Sequence, residues 1–417
     1  MHNIWAGGEL RVRIGGACGP SYPDSFSEPP KKRGFTGIGA VAAQWETLPN
    51  PLERTMAPRA LYQRLCQQLQ ACMPGLGVWP TRHLALVVTG LLLARHAALP
   101  RLAAQLRRVT PGAQADSIER RLRRILAHTE WDTTAIFEAF ARASLRHLPA
   151  GRCVLLLDDT QQTDHCTLST LALAYGGRAL PLAWCRWSGK LEGKYWQQID
   201  QLFEQATRIL PPQVQPVLLA DRGLTSPKLI KLARQRGWDY VLRVQGETTL
   251  RTAPRGARLA RLDELVAQPG APNVFLEGWV FAKYTMWLHV AAVWNVGYKE
   301  PWLLVSNLDL GRGLPQLYAR RMQVEALFRD AKSGGFEWEL SRVLRADRAQ
   351  RLLLGIMLAI WCAVLLGEAA IRAGEIPAYG RRAHAVSLLR RGLDWLAAPP
   401  RARFFRWTLA PPKTVRI

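Results

Sequence analysis

The sequence predicts an α/β protein in which helices flank a mixed β-sheet, with an all-α domain before the sheet and a β-rich insertion within it. Residues 58–149 show the hydrophobic periodicity of helices throughout. Residues 152–244 alternate short apolar, strand-like runs with helical segments, and residues 275–306 contain further strand-like runs. A chain of 417 residues is long enough for several domains with their own cores.

The composition points to a polyanionic partner. The chain has 56 Lys and Arg residues against 32 Asp and Glu residues, a formal net charge of +24. Such an excess favours nucleic acid over a membrane surface. The 7 cysteines are scattered without a C-x-x-C pair, which argues against a disulfide framework or a zinc cluster. Because no secretory signal is evident either, we expect a cytoplasmic protein.

The first part of the chain divides into two segments. Residues 1–55 lack a hydrophobic period, so we expect them to be disordered, or to be an artefact of gene prediction if translation starts at Met56. Residues 56–150 are expected to form a helical DNA-binding domain. Its predicted helices cover residues 60–73, 80–95, 99–108, 117–127 and 132–146.

The predicted helix over residues 117–127 has one apolar face and one arginine-rich face. Asp116 and Glu119 have the spacing of a capping box at its start. The guanidinium face suits DNA phosphates or guanine edges, and the alternative is a merely solvated basic surface. Its cationic members are Arg120, Arg121, Arg123 and Arg124.

Residues 151–246 are expected to form the first part of a catalytic core. The predicted order is three strands, a helix, a strand, a helix and a last strand, with Gly176–Gly177 as a hairpin turn. This order matches a ribonuclease-H-like core, in which the first and fourth strands are neighbours. The predicted elements cover residues 153–160, 167–175, 179–187, 193–210, 214–220, 227–236 and 240–244.

Candidate metal-binding carboxylates stand at the ends of the first and fourth strands. Asp158 and Asp159 end the first strand, and Asp221 ends the fourth. Successive side chains of a strand point to opposite faces, so only one of the adjacent aspartates is expected to reach the site. Carboxylate oxygens are ligands that Mg²⁺ prefers, and this ion keeps positions open for water and phosphate.

A helix predicted over Leu314–Gly335 carries the most specific motif. At 100° per residue, four of its side chains project from a stripe about 60° wide. A carboxylate beside two cations and a phenol suits a metal-bound phosphodiester. The alternative is a surface helix with ordinary charge pairs. The four residues are Tyr318, Arg321, Glu325 and Lys332.

The spacing Tyr-x2-Arg-x3-Glu-x6-Lys resembles the signature of the insertion-sequence-four family of bacterial DDE transposases. The resemblance implies that Asp159, Asp221 and Glu325 are catalytic and bind Mg²⁺ or Mn²⁺, with two ions per site. Asp159 is chosen because Thr follows it, as in the family's first motif, and Asp158 is the alternative. Asp221 lies in Leu-Ala-Asp-Arg-Gly, which looks like the second motif. Tyr318, Arg321 and Lys332 would contact DNA.

The segment between Asp221 and Glu325 is too long for the simple fold, and residues 247–310 are expected to form a β-rich insertion, as in the family. Its predicted strands cover Phe275–Phe281, Trp287–Val296 and Trp302–Ser306. The resemblance implies that an aromatic residue here receives a base flipped out of the transposon end, and Trp302 is the nominee. The alternative role for any one of these tryptophans is core packing.

The rest of the chain is expected to complete the core. Residues 311–375 supply its last helices, including a buried helix over 348–373, and residues 376–417 form a basic tail that binds DNA or a partner subunit. The apolar run at 352–367 is shorter than a bilayer needs, so no membrane partner is expected. No glycine-rich phosphate loop is present, so no nucleotide cofactor is expected.

The resemblance implies cut-and-paste transposition of an insertion sequence, by Mg²⁺-dependent cleavage at terminal inverted repeats and strand transfer. The partners would be double-stranded DNA, both repeats and target, and a second copy of the chain in a synaptic homodimer at the bacterial nucleoid. The alternatives are a ribonuclease-H-like nuclease or resolvase without strand transfer, and an inactive, domesticated DNA-binding protein.

Overall fold

The computed structural model describes residues 13–15, 58–128, 130–163, 166–189, 194–251, 253–373 and 386–397. The expectation of disorder for residues 1–55 lies outside these ranges except at 13–15. Residues 376–385 and 398–417 of the basic tail also lie outside them. Strand β1 is Arg13–Gly15, which pairs antiparallel with a strand of the insertion.

Five helices form the N-terminal region and confirm the helices predicted there. Their apolar positions recur at helical spacing and are buried together, as at Leu65, Leu84 and Leu122. The helices are α1 Pro58–Cys72, α2 Val78–Ala94, α3 Leu99–Leu106, α4 Ala115–Ala127 and α5 Thr133–Leu145.

The start of α4 differs from the predicted capping box. The helix begins at Ala115, and its N-cap residue Gln114 makes no side-chain capping bond. Glu119 is therefore too far along the helix to cap it, and it accepts a hydrogen bond from Arg123 Nε at 3.0 Å instead. This pairing neutralises one arginine of the predicted cationic face.

The central elements match the predicted order of strands and helices. Gly176 and Gly177 turn the chain between the second and third strands with φ of 54° and 75°, values that favour glycine. The elements are β2 Gly151–Thr163, β3 Cys166–Tyr175, β4 Arg178–Ser188, α6 Tyr195–Ile209, β5 Val214–Ala220, α7 Pro227–Gln235 and β6 Asp239–Arg243.

One mixed sheet runs through the catalytic region and the insertion, in the order β4-β3-β2-β5-β6-β11-β10-β9-β7-β8. β2 pairs antiparallel with β3 and parallel with β5, so the first and fourth strands of the core are neighbours as expected. The insertion strands are β7 Thr249–Arg251, β8 Arg258–Arg261, β9 Asn273–Val280, β10 Met286–Val293 and β11 Trp302–Ser306.

The insertion continues the core sheet because β11 pairs antiparallel with β6. Its three longer strands confirm the predicted ones, whereas β7 and β8 were not predicted. These two strands have only three and four residues, too few for an alternation of apolar and polar side chains to be recognised in sequence. The pairing with β6 brings the start of β11 close to the ends of the central strands.

The predicted helix over Leu314–Gly335 is a helical path with three changes of pitch. It consists of α8 Gly313–Tyr318, a 3₁₀ turn Ala319–Arg321, α9 Met322–Arg329 and a π turn Asp330–Gly334. The side-chain stripe calculated for a straight α-helix is therefore only approximate.

Helix α10, Ala346–Arg372, crosses the molecule as the predicted buried helix, and α11, Leu388–Ala397, packs beside it. α10 is long and apolar enough to cross a membrane, with a mean hydropathy of 2.3 in its most apolar window, but 89% of that window is buried inside the protein. Helices α2 and α3, which meet at a bend of 95°, are together also long and apolar enough to cross a membrane. The burial of α10 is that of a core helix.

Candidate active site

The parallel pairing of β2 and β5 brings two aspartates to the same edge of the sheet. Leu157 pairs with Ala220 at the last register position of these strands. Asp158 and Asp221 follow directly, so they lie side by side where β5 ends. β2 itself continues to Thr163, so Asp158 does not end its strand as predicted.

Arg321 connects Asp158 with Glu325. Its Nη1 donates to Asp158 Oδ2 at 3.0 Å, and its Nη2 donates to Glu325 Oε1 at 2.6 Å. Glu325 stands one helical turn after Arg321, so a single guanidinium joins the strand carboxylate to the helix carboxylate. The Arg321 side chain is only 11% exposed, whereas that of Glu325 is 48% exposed and opens towards solvent.

Asp221 is held by two further side chains. The Tyr318 hydroxyl donates to Asp221 Oδ1 at 3.2 Å, and Arg243 Nη1 lies 3.8 Å from the same oxygen. Tyr318 is buried, and burial, followed by the nearby Asp221 carboxylate, raises the pKa of its phenol. The phenol therefore remains a hydrogen-bond donor at neutral pH.

Asp159 points to the other face of β2. Its Oδ2 accepts a hydrogen bond from the Tyr195 hydroxyl of α6 at 3.1 Å, and its register partner on β3 is Ser169. Burial raises the pKa of the Asp159 carboxyl, while the Ser169 and Tyr195 hydroxyls oppose that shift. The structure thus groups Asp158, and not Asp159, with Asp221, Arg321 and Glu325, because successive strand residues alternate faces.

On the Asp158 face, burial and neighbouring carboxylates disfavour the negative charge of Asp158, and a nearby cation favours it. Burial raises the pKa of Asp158 to about 6, Arg321 opposes the shift, and Asp221 and Asp159 add to it. Burial works against the charge of Arg321, but Tyr318, Asp158, Asp221 and Glu325 together raise its pKa. The guanidinium therefore stays charged between these carboxylates.

The chemistry of this donor set fits a divalent cation, although the side chains are paired with protein cations. Asp158, Asp221 and Glu325 offer the hard oxygen ligands of Mg²⁺ or Mn²⁺. Among the described residues, no group of three or more His, Cys, Asp or Glu side chains is close enough to hold an ion as it stands. Arg321 occupies the cationic position between two of the three carboxylates.

Two further predicted DNA-binding residues, Lys332 of the motif and Trp302 of the insertion, contact elements that carry this cluster. Lys332 Nζ donates to the backbone oxygen of Gln161 near the end of β2 and lies 3.4 Å from Glu339. Trp302 is half-buried, and its ring meets that of Tyr318 edge-on at a centroid distance of 5.2 Å. Trp302 is thus packed against the residue that contacts Asp221.

The arginines of α4 lie on a different element, away from these carboxylates. Arg120, Arg123 and Arg124 are exposed, and Arg121 is half-buried. The apolar residues of the same helix, such as Leu122 and Ile125, are buried as predicted. The helix therefore presents a cationic surface, reduced at Arg123 by its pairing with Glu119.

Sequence reasoning missed the cations that surround Asp221. Arg243 ends β6, the strand beside β5, and Arg222 follows Asp221 directly. Both contact Glu300 of the insertion. The strand order contained a usable signal, because the residue at the end of the next parallel strand must lie near Asp221. The role of Glu300 depends on long-range pairing and leaves no local pattern.

Comparison with known proteins is consistent with this site. A solved cryo-EM structure, the piggyBac transposase synaptic complex with hairpin DNA, is similar over 80% of this chain and 77% of that one, at 10% identity and a TM-score of 0.39. No curated protein matches the sequence. Residues 195–362, which include Asp221 and Glu325 but not Asp158, match the transposase DDE domain family. The chain therefore carries a transposase DDE domain and is an enzyme of the DDE transposase class.

Proposed function

We propose that this enzyme is a cut-and-paste transposase of the insertion-sequence-four type, which cleaves DNA at terminal inverted repeats and joins the freed ends to a target. One observation carries the proposal. The residues spaced as Tyr-x2-Arg-x3-Glu are connected to the two aspartates of β2 and β5: Tyr318 contacts Asp221, and Arg321 contacts both Asp158 and Glu325.

The strand order supports a ribonuclease-H-like core. Three antiparallel strands, β2 to β4, are followed by two strands parallel to β2, with β5 beside β2 and β6 beyond it. Helices α6 and α7 form the crossovers. Such an arrangement places functional carboxylates at adjacent strand ends and a further acid on a later helix.

In this proposal Asp158, Asp221 and Glu325 hold divalent cations, Mg²⁺ or Mn²⁺, two per site. Asp158 replaces Asp159, which the motif favoured, because the Asp159 carboxylate is bonded to Tyr195 on the opposite face. When bound, the metal ions would supply Lewis-acid stabilisation of a phosphodiester and a hydroxide nucleophile.

The other side chains of the motif position DNA and protons. Arg321 pairs with both Asp158 and Glu325 and so keeps the two carboxylates close together. It could neutralise a phosphate oxygen if a metal ion shared those carboxylates. Tyr318 donates a hydrogen bond to Asp221 and so fixes the direction of that carboxylate. Lys332 lies at the far end of the path, beside the end of β2, where it would meet a neighbouring phosphate.

DNA is the substrate and the partner in this proposal. The exposed arginines of α4 would bind the terminal repeat, and half-buried Trp302 would stack on a flipped base, after rotating away from Tyr318. A synaptic homodimer in the bacterial cytoplasm would hold the two ends. The flipped base, the terminal repeat and the homodimer are implied by the resemblance to the insertion-sequence-four family, and the charge of +24 supports a DNA partner.

An end-joining assay tests the function directly. The purified chain is mixed with a labelled, pre-cleaved transposon end, a supercoiled target plasmid and Mg²⁺ or Mn²⁺. Joined product is expected, and it should disappear with EDTA and in Glu325→Gln. Cleavage of an uncut end without any joining would instead assign a nuclease or resolvase. Binding without cleavage would assign a DNA-binding protein.

A further inference from the structure

A carboxylate from the insertion lies within the cationic surroundings of Asp221. Glu300 stands in the connection between β10 and β11, two residues before Trp302. Its Oε2 lies 2.7 Å from Arg222 Nη1 and 3.0 Å from Arg243 Nη2. Arg222 also reaches the other carboxylate oxygen, with Nη2 at 3.3 Å from Oε1. Two guanidinium groups therefore hold one carboxylate.

We call Arg222, Arg243 and Glu300 the clamp, and it is continuous with the active site. Arg243 has a side chain only 16% exposed, and its Nη1 lies 3.8 Å from Asp221 Oδ1. Its Nη2 also donates to the backbone oxygen of Pro301 at 3.1 Å, which ties it to the same connection as Glu300. Arg222 and Glu300 are 41% and 48% exposed, so the clamp opens to solvent beside Asp221.

The chemistry of this clamp is that of an anion site. Guanidinium groups recognise carboxylates and phosphates by the same paired hydrogen bonds. A carboxylate that takes three such contacts presents its oxygens much as a phosphodiester would. A half-exposed acid at this position also opposes DNA, because it adds negative charge where the substrate backbone must approach Asp221.

We propose that Glu300 is an internal phosphate mimic: in the DNA-free enzyme it occupies the position of a DNA phosphate between Arg222 and Arg243, and DNA displaces it. The inference rests on the proposed function, since it takes DNA as the occupant. Displacement also releases the connection that precedes Trp302, so DNA entry and movement of that ring are linked.

A purely structural clamp and a phosphate mimic predict different effects of Glu300→Gln. Glu300 and Arg222 are about half-exposed, and Arg243 keeps its contacts with Asp221 and Pro301, so the variant should unfold at nearly the same temperature as the wild type in either case. If Glu300 competes with DNA, its neutral replacement tightens binding. If Glu300 only positions the two arginines, its replacement weakens binding.

The experiment measures binding of a fluorescein-labelled duplex, carrying the inverted repeat at the end of the element, by anisotropy over a range of salt concentrations. Glu300→Gln is expected to bind about threefold or more tightly than the wild type. The slope of log K against log salt should change by less than about one, because the same phosphate is neutralised in both complexes once Glu300 has been displaced. Unchanged or weaker binding would overturn the proposal.

Glu204→Gln is the matched control. Glu204 is also an exposed carboxylate paired with an arginine, Arg208, at 2.8 Å, but it lies on α6 and not beside Asp221. It loses the same charge, and its affinity for the duplex should stay within twofold or so of the wild type. An equal gain in Glu204→Gln would show that net charge alone explains the effect, which also overturns the proposal.

A second variant assigns the gain to the clamp. In Arg222→Ala one of the two arginine partners of Glu300 is missing. Adding Glu300→Gln to that variant should therefore increase the affinity for the duplex by less than it does in the wild type. The binding assay does not depend on strand joining. Tighter binding by Glu300→Gln with no joined product in the wild type would reject the proposed function alone, whereas joining with no change in affinity would reject this inference alone.

Discussion

The two faces of strand β2 have different surroundings at Asp158 and Asp159. On one face, Asp158 meets the cation Arg321 and lies close to Asp221. On the other face, Asp159 meets the phenol of Tyr195 and the hydroxyl of Ser169. The two residues are identical and adjacent, and both are half-buried. Their partners, rather than their burial, give them different chemistry.

The comparison shows how strand alternation divides a pair of acids between two tasks. The Asp158 face brings together carboxylates and cations and remains open to solvent through Glu325, so it can bind ions and phosphates. The Asp159 face is closed by α6, whose Tyr195 packs edge-on against Trp187 at 6.2 Å. A carboxylate on that side anchors a helix to the sheet.

The sharpest way to break this comparison is to neutralise each aspartate in turn. Asp158→Asn should reduce cleavage of a transposon end on the order of 1000-fold, because a proposed metal ligand is lost at the reacting phosphate. Asp159→Asn should retain activity within about tenfold, because its side chain does not face the site. Single-turnover cleavage rates measure both variants. The opposite ranking would restore Asp159 as the metal ligand.

Removal of Arg321 should have the largest effect on stability. In Arg321→Ala the buried Asp158 loses its cationic partner, and the free energy of unfolding should fall by about 3 kcal/mol at pH 7.5 without metal. Lys332→Ala is the comparison, since its pair with half-exposed Glu339 should contribute less than about 1 kcal/mol. Urea titration measures both. Equal losses would contradict the importance of the Asp158 face.

Asp158 should also give the metal-free protein a distinctive pH dependence. Its folded pKa, about 6, exceeds the ordinary value of 3.8, so folding favours the protonated form. The contribution of Asp158 to the free energy of unfolding is fully present below about pH 4 and is lost as the pH rises through about 6. The shift is worth at most about 3 kcal/mol.

The variant Asp158→Asn isolates that effect. It should be more stable than the wild type at pH 7.5 by about 1–3 kcal/mol without metal, and the gain should vanish near pH 4. Asp159→Asn, whose pKa is also raised by burial, provides the comparison on the other face. A loss of stability in Asp158→Asn at pH 7.5 would contradict the proposed cost of the buried charge.

The smallest effects are expected from the two phenols, one on each face. Tyr318→Phe removes the hydrogen bond to Asp221 and should slow cleavage roughly five- to tenfold, equivalent to about 1 kcal/mol. Tyr195→Phe removes the bond to Asp159 and should lower the free energy of unfolding by about 1 kcal/mol without slowing cleavage. A slower rate in Tyr195→Phe would link the two faces.

The amino-acid sequence by itself determined most of the elements and the positions of the motif. The apolar runs of β2 and β5, the Gly176–Gly177 turn and the helical periodicity of α1 to α5 depend on local physics that a sequence displays directly. The spacing of Tyr318, Arg321 and Glu325 likewise indicated a shared face. Local patterns could not show that α8 and α9 are separated by a 3₁₀ turn.

Only the tertiary structure decided which aspartate faces the site and which cations surround Asp221. Alternation shows that Asp158 and Asp159 point apart, but the choice between the faces depends on where α6 and α9 pack. Glu300 reaches Arg222 and Arg243 because β11 pairs with β6, a contact between residues far apart in the chain. Long-range pairing of this kind is set by the packing of the whole core, and a single sequence contains no local signal for it.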